Sequence, residues 1–125
     1  MSKRQVVSND FPKSDLPFSH GFEAGNLVFT SGQVGIDPVT GMLAEGISVQ
    51  TKQTLENIEA VLTAAGCSRR DVVKVTVFLA DIANYAAMNQ VYRTFFRHPY
   101  PARSCVEVKI ANPAIMVEIE AIACR

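Results

Sequence analysis

The side chains equipped for anion binding or proton transfer gather toward the end of this sequence. Arg103 follows Pro101-Ala102 at the start of an alternating segment, and its guanidinium offers a planar fork that matches a carboxylate and stays charged inside a pocket. Glu118 and Glu120 stand two residues apart in a second alternating segment, which puts them on one strand face roughly 6.5 to 7 Å apart. The pattern places Arg103 on that same face. Two carboxylates so arranged can divide labour: one holds a partner, while the other, its pKa raised by partial burial, exchanges a proton with water. The plain structural alternative is that both neutralise Arg103, Lys74 or Lys109. Cys105, two residues past Arg103, is a candidate nucleophile if the cation lowers its pKa. With no histidine suitably placed, it reads first as a small buried hydrophobe.

Other candidates are weaker. Ser31-Gly32-Gln33 ends an apolar strand segment, where glycine permits a ligand close to the backbone and the serine can donate to a substrate oxygen or simply stabilise a turn. Asn89 lies on a helical stretch beside core-facing Met88 and by pattern alone is an ordinary solvated residue. His98 sits among prolines as a turn residue, and His20 lies in a loop after Phe18 from which a pocket is reachable. Zinc, dinucleotide and P-loop signatures are absent, so those chemistries lack their minimum parts.

The elements that must position these groups fit into one domain spanning residues 1–125, with 48% hydrophobic residues and 12 basic against 12 acidic side chains. Zero net charge argues against nucleic acid or an anionic membrane as partner. Three cysteines without a C-x-x-C pair fit a reducing compartment, and the N-terminus lacks an apolar leader, so the expected location is cytoplasmic. Gly25-Asn26 joins two short strands within Phe22 to Ser31, and Asp37-Pro38-Val39-Thr40-Gly41 is a second reversal. Leu55, Ile58, Val61, Leu62 and Ala65 form the stripe of a helix between Ile47 and Ala65 that Gly66 stops. Val72 to Ala80 alternates as a strand, with Val73, Val75, Val77 and Leu79 on one face and Lys74, Thr76 and Phe78 on the other. Asp81 caps a second helix in which Tyr85, Met88, Tyr92 and Phe95 share a face, ended by His98-Pro99-Tyr100-Pro101. Strands over Ala102 to Ile110 and Ile115 to Ala123 close the chain.

This order predicts an α+β fold, a mixed sheet with two helices on one face. The remaining face would carry Arg103, Glu118 and Glu120 amid Cys105, Met116, Ile122 and Phe78. That mixture is too apolar for free solvent and too charged for a dry core, and it predicts a subunit interface containing a polar pocket.

The segments Pro101-Ala102-Arg103-Ser104-Cys105-Val106-Glu107-Val108 and Val117-Glu118-Ile119-Glu120-Ala121-Ile122-Ala123 resemble the C-terminal signature of the reactive intermediate deaminase family, the RidA or YjgF-like proteins. Ser31-Gly32-Gln33-Val34, the Pro38 to Gly41 turn, Thr54 to Ile58, Ala64-Ala65-Gly66, Val73 to Leu79 and Asn89 to Phe96 resemble it in order and spacing, so the likeness covers nearly the whole chain. The resemblance implies a chorismate-mutase-like fold and a homotrimer whose sheets line an inner barrel, with active sites in the clefts between subunits. It also implies hydrolysis of enamine or imine carboxylates such as 2-aminoacrylate and 2-aminocrotonate to 2-keto acids and ammonia, with no metal or cofactor.

Carried over by position, Arg103 would grip the substrate carboxylate with help from the Cys105 amide, and Glu118 would activate water. Ser31, Gly32 and Asn89 would line the pocket. The segment Pro17-Phe18-Ser19-His20 departs from the family's Pro-Tyr-x-Gln, so Phe18 brings the ring to the cleft without its hydroxyl, and the loop before Pro101 is shorter than usual. The alternatives within this resemblance are a non-enzymatic trimer that binds 2-keto acids or acts as a chaperone, and the ribonuclease or translation-inhibitor role ascribed to some relatives.

Overall fold

The computed structural model describes residues 2–125. The elements run β1 (Lys3–Val6), β2 (Gly21–Ala24), β3 (Leu27–Thr30), β4 (Gln33–Val34), α1 (Ile47–Ala64), β5 (Val72–Leu79), α2 (Tyr85–Phe95), β6 (Ala102–Glu107) and β7 (Val117–Cys124). The strands form one mixed sheet in the order β1-β2-β3-β7-β5-β6, with β4 paired to β7 alongside. Among the described residues only β5 and β6 run parallel, and the other strand pairings are antiparallel. Both helices pack on one face, where Leu55, Ile58 and Leu62 of α1 and Met88 of α2 meet Val28, Val75, Val77 and Ile119 in the core.

Local chemistry accounts for the element ends. Gly25 takes a φ of 59° at the first position of the two-residue turn that sets Ala24 opposite Leu27. Past α1, Gly66 adopts a φ of 76°, and the Gly66 and Cys67 amides donate to the Thr63 and Leu62 carbonyls, the Schellman pattern that closes a helix. The Asp37 carboxylate accepts from the Val39 and Thr40 amides, and the Gly41 amide closes the turn on the Asp37 carbonyl.

Three expectations are corrected. The pairing of β5 with β7 slips between Val72 and Lys74, so Val72 points into the core and Val73 is 48% exposed; the bulge inserts one residue and reverses the alternation before it. The second helix starts at Tyr85, because Asp81 caps a single 3₁₀ turn over Ile82–Asn84 by accepting from the Ala83 amide. The last two strands are shorter or later than their alternation predicts, ending at Glu107 and starting at Val117.

α1 also buries polar side chains, and these fix the strand that follows the hairpin. Asn57 donates to the carbonyls of Val34 at 2.9 Å and Ile36 at 2.8 Å, and Gln50 donates to the Ala114 carbonyl while accepting from the Met116 amide. Gly35 lies against the α1 backbone; a Cβ there would stand 2.8 Å from the Gln50 carbonyl oxygen. β4 and the approach to β7 are thus bolted to one helix. Asn57→Ala leaves two carbonyls without their donor and is expected to lower the unfolding free energy by about 2 kcal/mol in a urea titration.

Candidate active site

Arg103 lies on β6 opposite Val75 of β5, and residues paired across strands project to the same side. Its side chain therefore lies on the helix-covered side. Nη1 donates to Asn89 Oδ1 at 2.7 Å and touches Met88 Sδ at 3.9 Å, while Nη2 donates to the Tyr85 hydroxyl at 3.0 Å. The guanidinium carbon stands 4.7 Å from the Tyr92 ring centroid, within cation–π range. A cavity of about 250 Å³ opens beside it, lined by Asn89, Tyr92, Arg93, Tyr100, Pro101 and Arg103.

Burial pushes the Tyr92 hydroxyl up to about 12, against a lesser opposing pull from Arg103, so this phenol stays neutral. Cys105 shares the Arg103 side, opposite Val77, and burial raises its thiol pKa more than the neighbouring cation lowers it. The cation does not produce a thiolate, and Cys105 packs against the core as a small hydrophobe.

Glu118 occupies the other face. It pairs with Phe78 and Val34, while Glu120 pairs with Thr76, on the side no helix covers. The expectation that Arg103 shares a face with the two glutamates is therefore overturned. Parallel pairing with β5 puts Ala102, Ser104 and Val106 on the glutamate side and turns Arg103 and Cys105 away from it. No Arg103–glutamate ion pair forms among the described residues; the ion pairs join Arg4 and Arg125 to Glu23 and Arg69 to Glu59. Lys74 donates to the Ser104 hydroxyl instead.

Glu118 is half-buried, and its pKa is raised first by that burial and then by the negative charge of Glu120. Its carboxylate lies directly against Gly32, where a Cβ would come within 2.9 Å of the Glu118 carboxyl carbon and closer still to an oxygen. Ser31 flanks the contact, its hydroxyl donating to the Ser19 carbonyl and its amide to the His20 carbonyl, so it is engaged as a turn stabiliser. His20 stacks on Phe11 at 4.5 Å and its Nδ1 lies 3.1 Å from Gln33 Nε2; burial lowers its pKa. Phe18 meets the His20 ring edge-on and is 53% exposed. His98 is an exposed residue beyond α2.

The structure thus brings Ser31, Gly32, Phe18 and Glu118 to one end of β4, and Arg103, Asn89 and Cys105 to the β6 edge. It does not bring the two groups together within one chain. Tyr85 escaped the pattern reading as a functional residue because it was counted with the core stripe, although Tyr85, Asn89 and Tyr92 follow the i, i+4, i+7 spacing that puts three side chains on one ridge. Among the described residues no group of three or more His, Cys, Asp and Glu side chains could hold a metal ion, and no helix is long and apolar enough to cross a membrane.

The fold and the two half-sites define a class of α+β proteins with a braced arginine at a sheet edge and a half-buried glutamate, without an ion-pair partner among the described residues, on an open sheet face. Residues 8–125 match the family described as Endoribonuclease L-PSP. The chain is 43% identical over 128 residues to the 2-iminobutanoate/2-iminopropanoate deaminase of Salmonella typhimurium, covering 100% of this chain and 99% of that one. It is 47% identical over 122 residues to the RutC family protein PH0854 of Pyrococcus horikoshii, covering 97% of each. The crystal structure of E. coli TdcF with bound serine superposes with a TM-score of 0.90 at 39% identity, covering 98% of each chain. The chain belongs to this family, the one its signature segments resemble.

Glu118 owes part of its raised pKa to Glu120. Glu120→Gln is expected to move the Glu118 carboxyl titration to lower pH, read by carbon-detected NMR; an unmoved titration would leave burial as the sole cause.

Proposed function

We propose that this protein is a cofactor-independent hydrolase of enamine and imine carboxylates, converting 2-aminoacrylate and 2-aminocrotonate, through their imine tautomers, to 2-keto acids and ammonia. The observation that carries this reading is the opposed placement of Arg103 and Glu118 on the two sides of one sheet. A site that uses both must draw them from two copies of the chain. The uncovered face supports such an assembly: Phe22, Phe29 and Val106 are each more than a third exposed there, beside Ile122 and Phe78. We assign the assembly as a homotrimer with a cleft at each interface, in the cytoplasm, with small imine carboxylates as the ligands. The deaminase name carried by a relative 43% identical over the full chain supports the chemistry.

In each cleft Arg103, held in plane by Asn89, binds the substrate carboxylate and orients the imine carbon. Glu118 of the neighbouring copy accepts a proton from water as the water oxygen adds to that carbon. The proton passes to nitrogen to give the carbinolamine; the carboxylate then carries the hydroxyl proton to the amine, the C–N bond breaks, and ammonia leaves as the carbonyl forms. A carboxylate with a raised pKa suits this exchange, because a base titrating nearer the working pH both takes and returns a proton readily. The imine is reactive already, so positioning and proton shuttling by one carboxylate suffice. Gly32 keeps room for the Glu118 carboxylate, and Ser31 and Phe18 form the wall beside it.

The test generates 2-aminoacrylate from serine with a pyridoxal-phosphate dehydratase and follows its decay. Arg103→Ala is expected to remove the acceleration, and Glu118→Gln to lower kcat by about 10² to 10⁴ while 2-keto acid binding survives. Unfolding and remixing the two variants is expected to restore part of the activity, since a mixed trimer regains one cleft with both groups. Failure of mixing to restore any activity would count against a shared site. RNA cleavage that survives Arg103→Ala would instead favour the ribonuclease reading in the family's name.

A further inference from the structure

The Arg103 fork carries five N–H donors, and the structure engages one on each terminal nitrogen, with Asn89 and with Tyr85. The two partners differ in what they have left to give. The Asn89 amide oxygen only accepts. The Tyr85 hydroxyl accepts from Nη2 and keeps a proton of its own, made a stronger donor by the cation bonded to its oxygen. No acceptor among the described residues takes that proton. The Tyr85 side chain is 43% exposed at the first residue of α2, whereas Tyr92, the other ring against the guanidinium, is buried with its hydroxyl unpartnered. Phe18, on the other half-site, has no hydroxyl at all.

We infer that Tyr85 is a specificity-determining residue of the cleft, whose hydroxyl donates to the carboxylate seated on Arg103. An anion within reach of Nη2 is also within reach of the phenol bonded to Nη2, so guanidinium and phenol bind the acid group together. This inference rests on Arg103 being the carboxylate clamp. The ligand class it selects is an acid in preference to its neutral amide, because the amide replaces one acceptor oxygen with a further donor facing the fork. The bond exists with substrate and transition state alike, so it acts on affinity and not on the chemical step.

The experiment titrates 2-oxobutanoate and 2-oxobutanamide into the full-length protein by calorimetry, for the unsubstituted chain, Tyr85→Phe and Arg103→Ala. Tyr85→Phe keeps the ring and removes only the hydroxyl. Its Kd for the acid is expected to rise about tenfold with the amide unchanged, KM for the imine to rise in step, and kcat to stay within about twofold. Acid binding by Tyr85→Phe as tight as in the unsubstituted protein, with Arg103→Ala binding none, overturns the role of Tyr85 and leaves the clamp standing. Equal weakening of acid and amide also overturns it, since the hydroxyl would then act through the helix. Undiminished acid binding by Arg103→Ala removes the clamp itself, and the role of Tyr85 with it.

Discussion

Parallel pairing of β5 with β6 sets Val75 opposite Arg103 and Phe78 opposite Val106, and antiparallel pairing of β5 with β7 sets Phe78 opposite Glu118. A strand residue projects to one face only. With β5 as the common reference, the arginine falls under α2 and the glutamate falls on the bare side. Most of the functional anatomy follows from that geometry. Arg103 can be braced by a helix, against Asn89, Met88, Tyr85 and Tyr92, because it lies on the helix side. Glu118 can keep an unpaired, half-buried carboxylate because it does not.

Bracing and desolvation serve different needs. In the proposed reaction the guanidinium presents a plane to a carboxylate, and a ridge of side chains on α2 limits its rotation. The proton exchange proposed for Glu118 is eased because partial burial beside a second negative charge shifts its titration upward. On β4, glycine at position 32 leaves space for that carboxylate, while Asn57 and the Gly35 contact hold β4 against α1. A helix of the outer layer thereby fixes the strand next to the Glu118 carboxylate.

Much of this was legible in the residues. The Gly25-Asn26 hairpin, both helices, the terminating role of Gly66 and the one-sided helix layer followed from turn chemistry and periodicity, which act locally. Arg103, Glu118 and Gly32 stood out by type and by family likeness. The face of Arg103 did not, because alternation tells which residues within a strand lie together but not how one strand's faces match another's; that is settled by register between β5, β6 and β7. Val73 misled for a related reason, since a bulge depends on the neighbouring strand and leaves no mark in the alternation before it. The burial of Gln50, Thr54 and Asn57 lay outside the apolar stripe because it depends on β4 and the Ala114 to Met116 segment lying upon them.

The strict alternation of β7 has a consequence for how this chain can diverge. Val117, Ile119, Ala121 and Ala123 fill the core, while Glu118, Glu120 and Ile122 face outward. Substitutions at the outward positions alter chemistry or contacts and leave the core intact. A single inserted or deleted residue exchanges the two sets wholesale, burying glutamates among valines and turning the core outward. Fold stability alone therefore leaves the identity of β7's outward side chains free to vary, whereas it holds the length of the strand constant.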